Sequence, residues 1–168
     1  MNIDQKLEVV NRKLDEYETK IGLSSLSKNN DVEKILALPY QSLSSLDDET
    51  CGEMAFLMFQ YSIYIQKENN RHSAVMSWCK HYLDLEIGSK IDQYSGKTYS
   101  HFEEKKIKVL ADQTNEYINK LNRLSMQAKI YHEETNFIAN RVSQLGSCLL
   151  ELQQTKRKNK YANSSGQY

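Results

Sequence analysis

Residues 107–152 read IKVLADQTNEYINKLNRLSMQAKIYHEETNFIANRVSQLGSCLLEL. Taken at alternating steps of three and four, they give Ile107, Leu110, Thr114, Tyr117, Leu121, Leu124, Ala128, Tyr131, Thr135, Ile138, Val142, Leu145, Leu149 and Leu152, all apolar, aromatic or Thr. No charge falls on this seam, no Pro interrupts it, and Gly146 lies beside it. A 3.5-residue period held over roughly six heptads marks a helix that lies along other helices. As one helix it would run for roughly 70 Å, too far for a single small globule to cover. The seam is therefore expected to be buried partly by this chain and partly by further copies of it.

One flank of the seam supports that reading. Ala111, Ile118, Ser125, His132, Ala139, Gly146 and Gln153 stand where a two-stranded coiled coil would carry opposite charges. Small, uncharged residues widen the apolar stripe and let other helices approach. Two readings follow, a helix of an intramolecular bundle and one that also builds a homo-oligomer. The oligomer contacts are expected from Leu121, Leu124, Tyr131, Ile138, Val142, Leu145, Leu149 and Leu152.

Working outward, one Pro and six Gly in 168 residues are too few to punctuate anything but long helices. The expected class is all-α, an elongated helical hairpin or bundle ending in a long coiled-coil-like oligomerisation helix. Net charge is zero overall but uneven: residues 1–60 hold 6 basic and 11 acidic side chains, and residues 61–129 hold 11 and 8. An acidic front and a basic middle neither require nor exclude nucleic acid. Cys51, Cys79 and Cys148 are odd in number and lie in helical patterns, which reads as buried small hydrophobes in a reducing cytoplasm. No stretch is apolar enough to span a bilayer.

From the start of the chain, Ile3, Leu7, Val10, Leu14, Tyr17 and Ile21 form a first short seam, closed by Gly22. This suggests an accessory helix over 1–22. Residues 23–46 read as a linker with one short helix, begun by Asp31 and stopped before Pro39, then a loop over 41–45. Asp47, Asp48 or Thr50 opens a long helix to about Ile91, with a break expected in the polar run Gln66–Ser73. A turn at 93–99 leads into the seam helix, and residues 47–157 form the main domain. Residues 158–168, basic and polar, are expected to be disordered.

No catalytic constellation emerges, so the chain is expected not to be an enzyme. His132-Glu133-Glu134 lacks the second His of a zinc-protease helix, and His72 and His81 lie on opposite sides of theirs, so neither metal nor cofactor is expected. Binding chemistry is better represented. Lys67, Arg71, Trp78 and Tyr82 share one stripe of the long helix, cations interleaved with flat rings, as sequence-tolerant single-strand binding needs. The competing reading puts the rings at the edge of the core and the cations in solvent. Lys90, Lys97, Lys105, Lys106 and Lys108 cluster around the turn, with Lys105 and Lys108 on one face beside His101.

Asp48 to Leu152 resembles the UvsY family of phage recombination mediators. The resemblance rests on Asp48–Tyr64, with Glu53, Met54, Ala55, Tyr61, Ser62 and Tyr64; on the turn Lys90-Ile91-Asp92-Gln93-Tyr94-Ser95-Gly96-Lys97; and on Val109-Leu110-Ala111-Asp112 before a long helix. It covers nearly two thirds of the chain, and residues 1–30 have no counterpart. It implies an all-helical protein of the host-cell cytoplasm that assembles through its C-terminal helix into a closed ring, hexameric or heptameric. Such a ring would bind single-stranded DNA, contact the single-strand-binding protein and help load a RecA-like recombinase. The family's basic pair before the turn falls on Gly88 and Lys90, so the first basic position is lost here. The DNA contacts expected are Lys67, Arg71, Trp78, Lys90, Tyr94, Lys97, Lys105 and Lys108. The alternative is a coiled-coil scaffold protein without DNA contact.

Overall fold

The computed structural model describes the backbone of residues 2–90, 99–112 and 114–165, and their side chains except at 40, 99, 100 and 163–165. The chain is all-α. Among the described residues it forms α1 (Ile3–Lys20), α2 (Asn30–Leu36), α3 (Tyr40–Ser45), α4 (Asp48–Lys90), α5 (Tyr99–Ala111) and α6 (Glu116–Ser165).

Local side-chain chemistry sets most of these boundaries. Asn2 and Gln5 exchange hydrogen bonds, Gln5 N–H to Asn2 Oδ1 at 2.9 Å and Asn2 N–H to Gln5 Oε1 at 3.0 Å, a reciprocal box that starts α1. Gly22, at φ +80°, takes the left-handed conformation beyond its end. Asn29, not Asp31, caps α2: its backbone is extended and its Oδ1 accepts from Asp31 N–H at 2.9 Å. The loop expected at 41–45 is instead α3, nucleated by the Pro39 carbonyl, which accepts from the N–H groups of Ser42 and Leu43. Asp47 caps α4 through Thr50 N–H at 2.7 Å, and that bond holds its carboxyl below the usual range. The break expected at Gln66–Ser73 is absent, and α4 is helical throughout.

The quoted stretch is not one helix. Asp112 turns back on Thr114, accepting from its hydroxyl at 2.6 Å and its N–H at 3.0 Å. Asn115 Oδ1 then accepts from Ile118 N–H at 3.1 Å and restarts the helix as α6. Two Asx-type side chains within four residues outcompete the helix for its own donors.

The chain divides into two units: Met1–Glu18 with Asn69–Glu133, and Thr19–Glu68 with Glu134–Tyr168. Of the expected segments, 1–22 and 47–157 each contribute to both units, and 23–46 falls in the second. In the first unit the core is Ile3, Cys79, Leu83, Ile87, Val109, Ile118 and Leu121, with Leu7, Trp78, Tyr82, Tyr117 and Leu124 packed around it. In the second it is Val32, Ile35, Ala55, Met58, Ile65, Ala139, Val142 and Leu149.

In both units α6 turns the uncharged flank of its seam inward. Ile118 is buried in the first, Ala139 and Gly146 in the second. A Cβ on Gly146 would sit 3.2 Å from Met58 Cβ and Phe59 Cε1, so glycine is what lets the two helices meet there. Two turns earlier on α6, the Ala139 carbonyl accepts from Ser62 Oγ at 3.1 Å. Where disorder was expected from 158 onward, α6 continues to Ser165, and residues 166–168 lie outside the described residues. Its last turns are tied to the start of α4: Lys160 and Arg157 reach Asp48 at 3.2 and 3.4 Å, and Lys156 donates to the Ser44 carbonyl at 2.9 Å.

Candidate nucleic-acid interface

The cation and aromatic stripe expected on α4 is taken apart by the fold. Lys67 belongs to the second unit, where its Nζ donates to the Leu26 carbonyl at 3.1 Å, lies 3.6 Å from Glu68 and stands over the Tyr64 ring at 5.2 Å. Its side chain is 10% exposed, so it pins the linker to α4 and does not face a strand. Trp78 is half-buried on the core of the first unit, its ring 4.8 Å from that of Tyr82. Trp78 thus edges the core, as the competing reading expected.

Arg71 is paired within the first unit. Its Nε donates to Glu18 Oε1 at 2.7 Å, and its Nη2 is shared at 2.5 Å between Glu18 Oε2 and Asp15 Oδ1. The hydrogen bonds that Arg71 donates to Glu18, seconded by the one to Asp15, raise the guanidinium pKa beyond its ordinary range. A forked guanidinium on a carboxylate is among the strongest side-chain pairings. Glu18, at 6% exposure, is one of α1's two buried residues and Ile3 the other. The helix expected to be accessory is thus an integral wall of the first unit.

Three further contacts hold α1 in place. Lys120 Nζ meets Asp4 Oδ2 at 2.6 Å, and Lys6 Nζ stands 4.4 Å above the Tyr82 ring while donating to Tyr117 Oη at 3.3 Å. Sequence reading gave Asp4, Lys6, Tyr117 and Lys120 no place in the candidate site, Tyr117 standing only on the seam. The available signal was the charge asymmetry, an acidic front complementary to a basic middle.

The remaining basic candidates stand differently. Lys90, at the last position of α4, is half-buried and close enough to Asp112 to help depress its carboxyl, which hydrogen bonds from Thr114 lower first. On α5, Lys105 and Lys106 are half-buried and Lys108 is exposed, and none of the three forms an ion pair among the described residues. Tyr94 and Lys97, with the turn expected at 93–99 up to residue 98, lie outside the described residues.

The expected oligomer contacts separate into three groups. Leu121, Val142 and Leu149 are 0–2% exposed and serve this chain's own cores, so they are unavailable to a second copy. Leu124, Leu145 and Leu152 are half-buried. Tyr131 and Ile138 remain exposed at 42% and 43%, as does Phe137 at 65%, which the seam reading had omitted. Phe137 sits one step off the seam, and the inward turn of the small flank rotates it toward solvent.

The cysteines are free, Cys51 and Cys79 buried and Cys148 exposed, the last against expectation. Burial raises the Cys51 thiol and pushes Cys79 to about 11. A raised pKa disfavours the thiolate, the reactive form. At pH 8 a disulfide reagent should therefore modify Cys148 quickly and the other two only after denaturation. A second fast thiol in the native protein would contradict the packing of Cys51 or Cys79.

Among the described residues no three His, Cys, Asp or Glu side chains converge as a metal site, and no helix is long and apolar enough to cross a membrane. No protein-family model matches the chain, and neither a curated protein nor a solved structure matches it.

Proposed function

We propose that this chain is a self-assembling single-strand-binding protein that acts as a recombination mediator. In this role it assists a RecA-like recombinase onto DNA covered by single-strand-binding protein. The observation that carries the reading is the lysine row of α5. Lys67, Arg71 and Lys120 are consumed by internal partners, whereas Lys105, Lys106 and Lys108 keep their charge unpaired among the described residues. They directly follow the turn segment 90–97 on which the family resemblance is most specific. Lys90 adds a cation from the same unit.

The mechanism is binding without bond-making chemistry. Phosphates neutralised by lysine release counterions, which holds a strand without reading its sequence. One such row binds weakly. A ring of copies presents several rows to one strand, and linkage of this kind raises affinity on the order of 10²–10⁴. Exposed Phe137 and Ile138 supply apolar surface for contact between copies. A strand held at several points along a ring is drawn away from the protein covering it, which gives the recombinase access.

The scaffold reading has one specific observation in its favour, the internal use of Lys67 and Arg71. Titration of a labelled single-stranded oligonucleotide at several salt concentrations separates the two. Mediator behaviour predicts affinity falling linearly on a log–log salt plot, by about 0.7 per phosphate contact. Absence of binding at low salt would leave the scaffold reading standing.

A further inference from the structure

We infer that a second single-strand-binding surface lies on the first unit beneath α1, and that α1 is its built-in competitor. This rests on the single-strand-binding reading above. The covered surface holds Arg71, Lys120, Tyr82 and Tyr117, two cations and two rings. Each is occupied by an α1 group that stands where part of a strand would stand. The Glu18 carboxylate meets the Arg71 fork with both oxygens, as a phosphate does, Asp15 Oδ1 adds a third contact, and Asp4 Oδ2 pairs singly with the Lys120 ammonium. Lys6 covers the face of Tyr82, where a base would stack. Asp4 and Glu18 are fourteen residues apart on one helix, so these contacts spread over about 21 Å.

The way α1 is attached makes it displaceable. Ile3 is its single fully buried apolar residue. Tyr17 is 60% exposed, and Leu7, Val10 and Leu14 are half-buried. Its grip is mainly ionic, and a polyanion competes with ionic grips directly. A protein regulated in this way binds a strand weakly through α5 and strengthens its hold when the strand is long or concentrated enough to lift α1. The observed affinity is the intrinsic one reduced by the fraction of molecules with α1 lifted.

The test uses the full chain and two charge-matched double variants. Asp15→Asn with Glu18→Gln loosens the contact on Arg71. Glu8→Gln with Glu16→Gln removes the same charge from exposed positions of the same helix. The first pair should bind a labelled single strand about tenfold more tightly than the second. In the unmodified protein, saturating oligonucleotide should also speed hydrogen exchange of the α1 amides. Equal affinity of the two variants, or α1 amides that exchange no faster with DNA bound, overturns the inference while leaving strand binding itself intact. If neither variant nor the unmodified protein binds at low salt, both this inference and the binding reading fall.

Discussion

Arg71→Ala should release α1 from the first unit. The substitution leaves the Glu18 carboxylate, 6% exposed, without the guanidinium that both its oxygens engage. Removing one member of a buried pair costs about 3–5 kcal/mol, because the remaining charge sits desolvated and unpaired. Asp15, exposed, loses its partner as well, but a solvated carboxylate suffers little. The cost falls on the attachment of α1, since lifting the helix returns Glu18 to water. Amide exchange over residues 3–18 should accelerate roughly a hundredfold or more, each 1.4 kcal/mol corresponding to a factor of ten. The core made by Cys79, Leu83, Ile87, Ile118 and Leu121 should keep its protection.

A second substitution separates a lost pair from a disturbed backbone. Arg71→Met with Glu18→Leu replaces the ion pair by apolar side chains of similar length. Such replacements are often neutral or stabilising. Protection of α1 should return in the double variant. Arg71→Lys should rescue only in part, because an ammonium cannot reproduce the fork on Glu18. Unchanged exchange in Arg71→Ala would mean that Ile3 and Leu7 alone hold α1 in place.

The helical class was legible because its signal is periodic and long. The seam from Tyr117 to Leu152 and the near absence of Pro leave no other class open. Which side of the seam faces inward was harder to read. Apolar content favours the heptad positions, and Leu121, Val142 and Leu149 are buried accordingly, but the small flank is buried with them, because at Gly146 a side chain would meet Met58 and Phe59 of α4. The break at Asp112–Asn115 was visible in principle as two capping residues, yet an unbroken apolar period outweighed them.

The candidate site was legible only in part, because charge in sequence does not reveal its partner. Arg71 and Lys105 look alike on a helical wheel. One is met by Glu18, fifty-three residues earlier, and the other by no acid among the described residues. Lys67 and Trp78 illustrate the same limit, the first spent on a linker carbonyl and the second on the core edge. The complementarity of an acidic first helix to a basic middle was present in the residue counts, but only the fold pairs Asp4 with Lys120 and Glu18 with Arg71.

The proposed strand contact on α5 carries the other large expected effect. Lys105→Ala, Lys106→Ala and Lys108→Ala in one chain remove the unpaired cations while keeping a strong helix former at each position. Val109 and Leu110, which anchor α5 to the first core, are untouched. Loss of three charge-assisted phosphate contacts should weaken binding roughly a hundredfold at low salt. Since phosphate contacts carry no base information, the loss should be equal for poly-dT and mixed-sequence strands. The most direct measurement is therefore the salt dependence of oligonucleotide affinity for the unmodified protein and this triple variant, side by side. The lysine row predicts weaker binding and a log–log slope shallower by about 2, three contacts at about 0.7 each. Wild-type affinity with a wild-type slope in the triple variant would contradict α5 as the surface that holds DNA.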